Sequence, residues 1–226
     1  TNCEYDTKKA FERAGAEVEI YVFNNLGVEE IKESIETLSE KIKTAQIFMI
    51  PGGFSAGDEP DGSGKFIANI LQNQKIKESM REFLENDGLV LGICNGFQAL
   101  IKSGLLPYGN VDSVTEDSPT LFRNDINRHV SRVVSTRIVS NNSPWLSSFT
   151  VGETHSIPMS HGEGKFVVSE EFAKELFENG QVITQYCDDN NQVTMDKNYN
   201  LNGSNYAIEG IVSKCGKILG KMGHSE

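Results

Sequence analysis

Residues 90–98 contain the cysteine whose surroundings most favour chemistry. An apolar run rich in β-forming residues leads to Gly92, Cys94 and Gly96, and the apolar spacing then becomes helical. This pattern predicts a strand, a tight turn and a helix, with Cys94 at the turn. A side chain held there projects from the carboxyl edge of a sheet, and the first N–H groups of the helix face whatever reacts with it. Cys94 is therefore a candidate nucleophile, although a lone buried cysteine is more often inert packing.

A cysteine nucleophile needs a base or cationic partner, and that partner needs an orienting group. His224 follows the apolar pair Ile218 and Leu219, which is typical of a strand leaving the core, and Glu226 lies two residues further on. A carboxylate at that spacing can bond the second imidazole nitrogen and fix the tautomer. The sequence thus predicts a triad of Cys94, His224 and Glu226.

A second glycine-rich turn, Pro51-Gly52-Gly53-Phe54-Ser55, follows an apolar strand predicted at residues 45–50. Two glycines after a strand let the backbone turn sharply and bring bare N–H groups against a ligand. Ligands of open α/β sheets bind at the carboxyl ends of the strands. Both glycine turns are expected at such ends, and therefore close together.

The elements that position these turns follow from the apolar spacing. In the first half, strands are predicted at residues 17–23, 45–50 and 89–93, and helices at residues 6–14, 66–85 and 97–103. Residues 24–43 are predicted to contain a short helix with a buried stripe of Ile31, Ile35 and Leu38. A loop is predicted at residues 56–64. In the second half, β-like segments are predicted at 129–139, 165–168, 182–186 and 207–213, and one helix at 170–179. We expect an α/β fold with an open, mainly parallel sheet and helices on both faces, plus an antiparallel β portion in the second half. One domain over residues 1–226 is the simplest count.

Composition excludes several classes of function. The net charge of −11 argues against a nucleic-acid or anionic-membrane surface, because such partners need a basic footprint. Four scattered cysteines without metal-ligand spacing indicate no metal site and a reducing, cytoplasmic setting. No apolar run approaches the length of about 20 residues that a transmembrane helix needs.

Several motifs together resemble the class I glutamine amidotransferases, which carry a Cys-His-Glu glutaminase on an open α/β sheet. The shared motifs are Pro51-Gly52-Gly53, Gly92-Ile93-Cys94-Asn95-Gly96-Phe97-Gln98 and His224-x-Glu226. Within that class, Gly53-Phe54-Ser55-x-Gly57-Asp58, His161-Gly162-Glu163-Gly164 and Asn202-Gly203-Ser204 resemble the glutaminases of the phosphoribosylformylglycinamidine synthase family. The likeness runs from Asn2-Cys3-Glu4 to Glu226, so it covers essentially the whole chain.

The resemblance implies a role for each matching residue. Cys94 attacks the side-chain amide of glutamine, which gives a thioester and ammonia, while His224 moves the proton and Glu226 orients the imidazole. The backbone N–H groups of Gly53 and Asn95 form the oxyanion hole. The residues implied to hold the α-amino and α-carboxylate groups of glutamine are Phe54, Ser55, Gln98, Ser160, His161 and Gly162.

The resemblance also implies a partner that uses the ammonia, namely a synthetase domain or subunit on the same chain or a separate one. We expect no cofactor in this domain and place ATP and magnesium in the partner, since no G-x-x-x-x-G-K-[ST] loop is present. The family's apolar strand before the Thr-Asn-Cys-Glu motif is lacking, and Ser225 replaces the usual proline between His and Glu. The chain is therefore expected to be an excerpt of a longer polypeptide without its first strand.

Two other classes stay open on the residues alone. The first class is the cysteine hydrolases and glyoxalase-like proteins, which also place a cysteine at a strand-helix turn but do not pair it with a terminal His-x-Glu. The second class is a non-catalytic, regulatory amidotransferase-like domain, which would lack the nucleophile or the base. The remaining candidates receive ordinary structural interpretations. Cys3, Cys187 and Cys215 are expected to be packing residues, His129 and His155 surface or loop histidines, and Asp58 and Asp61 either solvated or in contact with a partner.

Overall fold

The computed structural model describes residues 1–55, Asp58 and residues 62–226. Gly57 and Asp61, both in the predicted loop, lie outside the described residues. The helices are Glu4–Arg13 (α1), Val28–Thr44 (α2), Lys65–Leu71 (α3), Gln74–Glu85 (α4), Asn95–Ser103 (α5), Leu105–Tyr108 (α6) and Glu170–Glu178 (α7). The strands are Ile47–Ile50 (β1), Leu89–Ile93 (β2), Thr120–Arg123 (β3), Val130–Ile138 (β4), Thr154–His161 (β5), Glu163–Val167 (β6), Val182–Tyr186 (β7), Ile208–Val212 (β8) and Ile218–Lys221 (β9).

Seven strands form one mixed sheet in the order β1-β2-β9-β8-β7-β4-β5, and β3 pairs with β6 in a separate antiparallel ribbon. The strands β1, β2 and β9 are parallel, whereas β9-β8, β8-β7, β7-β4 and β4-β5 are antiparallel. The predicted α/β class with an antiparallel second half is confirmed. Because β1, β2 and β9 run in one direction, their carboxyl ends meet at a single edge, which carries Gly52, Cys94 and His224.

The core around this edge is apolar and closely packed. Val90 of β2 and Ile218 of β9 are fully buried, as is Phe97 of α5. The Phe97 ring stacks on that of Phe166 in β6, with centroids 6.4 Å apart and planes 11° from parallel. The helix that follows Cys94 is thereby fixed between the large sheet and the small ribbon.

The prediction of a strand at residues 17–23 is wrong. Within the described part of the chain these residues form no strand, and Val22 is 77% exposed. Their side chains bind the neighbouring helix α2 instead, since the Tyr21 hydroxyl donates to the Ser34 carbonyl at 3.1 Å and Lys41 pairs with Glu19. Alternating apolar residues make a strand only where another strand supplies backbone partners.

The prediction of one long helix at residues 66–85 is also wrong, because this segment forms two helices, α3 and α4. Asn73 leaves the helical conformation at φ −62° and ψ 135°, and its side chain accepts the Lys75 N–H at 3.0 Å. An asparagine that caps a new helix competes with continuing the old one.

Helix α2 is longer than expected, with 17 residues, and Ile31 in its predicted stripe is 36% exposed.

Two strands, β3 and β5, were not predicted from the sequence. Strand β5 lies at the sheet edge beside β4, and it contains Pro158 and solvent-exposed alternate positions, which weaken its apolar signal. No helix among the described residues is both long and apolar enough to cross a membrane.

Candidate active site

The turn between β2 and α5, here called the elbow (residues 92–96), holds Cys94 in an unusual backbone conformation with φ 51° and ψ −103°. A non-glycine residue at positive φ is strained and persists only where its surroundings enforce it. A Cβ on Gly96 would lie 2.0 Å from the Ile50 carbonyl oxygen, and one on Gly92 would lie 2.5 Å from Leu100. The two glycines therefore let strand, turn and helix approach closely enough to impose this conformation.

Cys94 is 5% exposed, so its thiol meets a small, nearly dry space. Its Sγ lies 3.7 Å from the Ser160 carbonyl oxygen. Helix α5 begins at the next residue, Asn95, and the first N–H groups of a helix have no partner within it. The elbow therefore directs free N–H donors toward the space around the sulfur.

His224 follows β9 and is held from three sides. Its N–H donates to the Pro158 carbonyl at 2.8 Å, and its Nδ1 lies 2.8 Å from Oε1 of Glu226. Cys94 is close enough to the imidazole to be the largest cause of the raised pKa of His224. A Cβ on Gly52 would lie 2.5 Å from the ring and 3.4 Å from the Cys94 Cβ, so this position has space only for glycine. The structure thus brings the three predicted triad residues together.

The charges in this cluster support one another. The hydrogen bonds with Cys94 and then Glu226 raise the pKa of His224 to about 10, although burial opposes them. Burial tends to raise the pKa of Glu226, but the hydrogen bond and charge of His224 outweigh it, and the net pKa is lowered. At neutral pH the imidazolium is favoured, with its Nδ1–H directed at Glu226.

The Gly52-Gly53 turn ends β1 beside this cluster. Gly53 has φ +95°, and a Cβ there would lie 2.5 Å from the Asn2 nitrogen. The Asn2 side chain accepts the N–H of Phe54 at 2.9 Å, while the Phe54 ring is 67% exposed. The predicted oxyanion-hole residue Gly53 therefore lies in a fixed turn, and Phe54 lies at its open rim.

Asp58 has a structural role that the sequence analysis missed. Its carboxylate is 8% exposed, and it accepts the Ser55 N–H at 2.7 Å, the Ser55 hydroxyl at 2.7 Å, the Gly64 N–H at 3.0 Å and the Asn95 side-chain amide at 2.8 Å. Neither predicted interpretation, solvation or partner contact, describes this buried position. Asp58 links the first glycine turn to the start of α5, so both predicted oxyanion-hole turns depend on one carboxylate.

Gln98 lies one turn into α5, and its side chain is 3% exposed. Its Nε2 donates to the Glu163 carbonyl, which joins α5 to β6. Lys102, one turn further, donates to the Ser63 carbonyl at 2.6 Å, and burial lowers its pKa. Gln98 therefore borders the site with its amide nitrogen engaged by the backbone.

His161 is buried on the antiparallel side of the site. Its Nδ1 lies 3.1 Å from Oδ1 of Asn124, which only accepts, so Nδ1 carries the proton. Its Nε2 is buried and has no hydrogen-bond partner among the described residues. Burial, followed by the positive charges of His129 and His224, lowers its pKa to about 3. His161 is thus a neutral imidazole.

The two neighbours of His161 are oriented differently. The Ser160 carbonyl faces Cys94, as described above, while its hydroxyl lies 2.9 Å from His129 Nε2 on the exposed surface. Gly162 accepts the Asn124 N–H at 3.0 Å, and a Cβ there would meet nothing within 4 Å. Ser160 thus brings the end of β5 against the Cys94 sulfur.

The remaining histidines and cysteines differ in how exposed they are. His129 is exposed, as predicted, whereas His155 lies in β5 with its ring 5.4 Å from that of Phe149. Cys187 is buried and Cys215 is exposed. Cys3 is half-buried and lies beside His224 and Glu226, a position that its sequence neighbourhood did not indicate.

Comparison with known proteins places this geometry in a class. The chain is similar to the PurLQS structure from Thermotoga maritima, with TM-score 0.68 and 25% identity over 99% of this chain and 82% of that chain. The acivicin-bound glutaminase domain of Trypanosoma brucei CTPS, at TM-score 0.54, 14% identity and coverage of 99% and 80%, shares the fold. A nucleophile elbow on such a sheet, together with these relatives, defines a glutamine amidotransferase.

Sequence comparison gives the family. The profile of the CobB/CobQ-like glutamine amidotransferase domain matches residues 1–226, and the chain belongs to this family. It is 38% identical, over 100% of its length and 78% of the relative's, to phosphoribosylformylglycinamidine synthase subunit PurQ of Methanococcus maripaludis strain C5. The corresponding subunit of Sulfurimonas denitrificans is 32% identical over 100% of this chain and 86% of the relative.

Proposed function

We propose that this chain hydrolyses glutamine through Cys94, His224 and Glu226 and supplies the ammonia to a synthetase that converts phosphoribosylformylglycinamide to the amidine. The main support for the chemistry is the position of His224, which packs beside Cys94 against Gly52 and hydrogen-bonds Glu226. The support for the acceptor is that the relatives are subunits of phosphoribosylformylglycinamidine synthase.

In the first half-reaction the Cys94 sulfur attacks the side-chain amide carbon of glutamine. The C–S bond forms as the carbonyl electrons move to oxygen, and the N–H groups of Gly53 and Asn95 stabilise that oxyanion. His224 then donates its Nε2 proton to the amide nitrogen, the C–N bond breaks, and ammonia leaves a thioester. The imidazolium favoured at neutral pH supplies this proton without a separate acid.

In the second half-reaction water replaces ammonia. The now neutral His224 takes a proton from water as it attacks the thioester, and collapse of the second oxyanion releases glutamate and regenerates the Cys94 thiolate beside the imidazolium. Glu226 stays ionised throughout, since its pKa is lowered, and it holds the Nδ1 proton in place. General acid-base catalysis of this kind contributes about 10²–10⁴-fold.

Glutamine is held on both sides of the sulfur. The residues proposed to bind its α-amino and α-carboxylate groups remain Phe54, Ser55, Gln98, Ser160, His161 and Gly162. The Ser160 carbonyl lies 3.7 Å from the sulfur, and the Nε2 of the neutral His161 has no partner among the described residues, so both acceptors are suited to contacts with amino or hydroxyl donors. The Ser55 N–H and hydroxyl are already bonded to Asp58, so Ser55 acts through the shape of its turn.

The ammonia consumer is a synthetase domain or subunit, and ATP and magnesium belong to that partner. The support for a partner is that the similar proteins are synthase subunits and that the similar Thermotoga maritima structure is that of PurLQS. Ammonia released to water is lost to the acceptor, so glutaminase turnover is expected to rise when the synthetase is bound and closed.

A diazo-ketone analogue of glutamine tests the nucleophile directly. Peptide mapping after incubation should place one label on Cys94, and Cys94→Ser should abolish both labelling and turnover. Cys215→Ser, which changes an exposed cysteine, is the matched control and should retain both. A label on Cys3, Cys187 or Cys215 with Cys94 free would refute the proposed function.

A further inference from the structure

Cys3 completes a cluster of metal-ligand atoms around the proposed base. The Cys3 Sγ, a ring nitrogen of His224 and a carboxylate oxygen of Glu226 all lie within 4.8 Å of one another. Each of the three residues is half-buried, and the His224 side chain is 17% exposed. Among the residues that the structure describes, these three alone form such a group.

The position of Cys3 is fixed by the backbone. Its N–H donates to the Gly52 carbonyl at 3.3 Å, and its carbonyl accepts the Thr7 N–H at 3.0 Å in the first turn of α1. The thiol is therefore held against the same glycine turn that packs on His224. The triad as proposed assigns this thiol no role, since the Cys94 sulfur is the nucleophile.

The surroundings of the cluster are anionic. The carboxyl groups of Glu226, Asp6 and Glu4 are all close enough to the Cys3 thiol to act on it electrostatically. The Glu4 Oε2 is itself buried and has no hydrogen-bond partner within the described part of the chain. A cation near Cys3 would offset this concentration of negative charge.

We propose that Cys3, His224 and Glu226 form a site for a thiophilic divalent cation, with zinc as the representative ion, and that the bound ion blocks the catalytic base. A thiol, an imidazole and a carboxylate form a ligand set that suits zinc. With metal-ligand bonds of about 2.0–2.3 Å, ligand atoms in a tetrahedral site are about 3.5 Å apart. The observed limit of 4.8 Å is close to that value, so side-chain rotation alone closes the gap.

The consequence for catalysis rests on the proposed function. Zinc binding releases the Cys3 thiol proton and a proton of the imidazolium to solvent, because metal ligands bind in their deprotonated forms. Coordination also competes with the 2.8 Å hydrogen bond between His224 and Glu226. The coordinated imidazole keeps its Nε2 proton but has lost the positive charge that makes it an acid, and it has also lost the carboxylate that orients it, so turnover stops until the ion is removed.

Zinc binding to the reduced full chain, measured by competition with a chromogenic chelator, tests the site without any assay of activity. We expect one zinc ion per wild-type chain and at least tenfold weaker binding in Cys3→Ser. Cys215→Ser is the matched control and should bind zinc as the wild type does. Cobalt(II) in place of zinc should give a sulfur-to-metal charge-transfer band in the wild type that Cys3→Ser lacks. Equal zinc affinity in wild type and Cys3→Ser, or a site lost in Cys94→Ala but kept in Cys3→Ser, would overturn the proposal.

Activity is then measured with each variant compared with its own zinc-free rate. Zinc should inhibit the wild type, a chelator should restore it, and Cys3→Ser should need at least tenfold more zinc for the same inhibition. The two readouts separate the two proposals. Cys3-dependent zinc binding in a chain that shows no glutaminase turnover even with its synthetase bound would refute the proposed function alone, whereas full turnover with zinc binding independent of Cys3 would refute only the metal site.

Discussion

The elbow and the buried polar network on the other side of the site are built in opposite ways. In the elbow, a Cβ on Gly96 would lie 2.0 Å from the Ile50 carbonyl oxygen, so close approach of backbone to backbone sets the geometry. The polar network comprises Asn124, His161, Asn202, Ser204 and Tyr186, and hydrogen bonds between side chains and backbone set its geometry.

The difference predicts how each region fails. A region defined by close packing of backbone atoms does not accommodate an added atom, because no side chain is present to rotate away. A region defined by buried hydrogen bonds does not tolerate a removed atom, because the former partner is left unsatisfied in a dry interior. Opposite substitutions should therefore disrupt the elbow and the polar network.

The largest effect is expected from Gly96→Ala in the elbow. The new Cβ forces α5 away from β1, and Cys94 then loses the turn that enforces its φ of 51°. We expect destabilisation by more than about 3 kcal/mol, measured as the free energy of unfolding in denaturant, together with loss of labelling by the glutamine analogue.

Gly162→Ala is the matched control for that substitution. It adds the same methyl group at the opposite side of the site, where a Cβ would meet nothing within 4 Å. Its free energy of unfolding should stay within about 0.5 kcal/mol of the wild type. Equal destabilisation by both alanines would show that the elbow has no special steric constraint.

The next effect is expected from Asn202→Ala in the polar network. Asn202 is fully buried, its Nδ2 donates to the Gly164 carbonyl at 2.8 Å and to the Tyr186 hydroxyl at 3.0 Å, and its Oδ1 accepts the Ser204 N–H at 3.0 Å. Truncation leaves several of these groups unpaired, so we expect destabilisation by about 2–3 kcal/mol in denaturant unfolding. Asn198→Ala, at an exposed turn, should change stability by less than about 0.5 kcal/mol. A similar loss in both variants would contradict the role of burial.

A pH-dependent effect that is small near neutral pH is expected from His161. Its pKa is about 3 in the folded chain and near 6.5 in the unfolded chain, so below pH 6.5 the unfolded state takes up a proton that the folded state does not. The free energy of unfolding therefore falls as pH drops from 6.5 toward 3, with a slope approaching about 1.4 kcal/mol per pH unit. His161→Gln should remove that part of the slope, whereas His129→Gln, at an exposed position, should not. Identical slopes in wild type and His161→Gln would exclude a buried neutral imidazole.

The elbow was predictable from the sequence because its signals are local. Gly92, Cys94 and Gly96 lie within one short apolar stretch, and the strand and helix beside them were both confirmed at nearly the predicted bounds. The pairing of Cys94 with His224, by contrast, followed from motif likeness, because no periodicity relates residues so far apart in the chain.

The polar parts of the site were less predictable, because their partners come from separate elements. Asp58 bonds Ser55, Gly64 and Asn95, and nothing in the spacing of these residues indicates that they converge on one buried carboxylate. The same reason explains the missing strand at residues 17–23. Its apolar residues alternate as those of a strand do, but a strand forms only where a neighbouring strand supplies backbone partners, and the local sequence does not specify that neighbour.

Glu209 connects the antiparallel half to the catalytic base, and its substitution should give the smallest effect. This carboxylate on β8 is 1% exposed, and it accepts the Gly223 N–H at 2.6 Å and the Thr184 hydroxyl at 2.5 Å. Glu209→Gln keeps a carbonyl oxygen for Gly223 but loses the charge that strengthens the bond, so the backbone next to His224 becomes less constrained.

We expect Glu209→Gln to lower kcat for glutamine hydrolysis by about threefold to tenfold with KM unchanged, a change of about 1 kcal/mol in the barrier. Thr184→Val is the matched control, because it removes the other bond of the same carboxylate while leaving the Gly223 contact in place. It should affect the free energy of unfolding more than kcat. If both variants lower stability equally and leave kcat unchanged, Glu209 supports only the sheet, and the base is positioned by the elbow and the Pro158 contact alone.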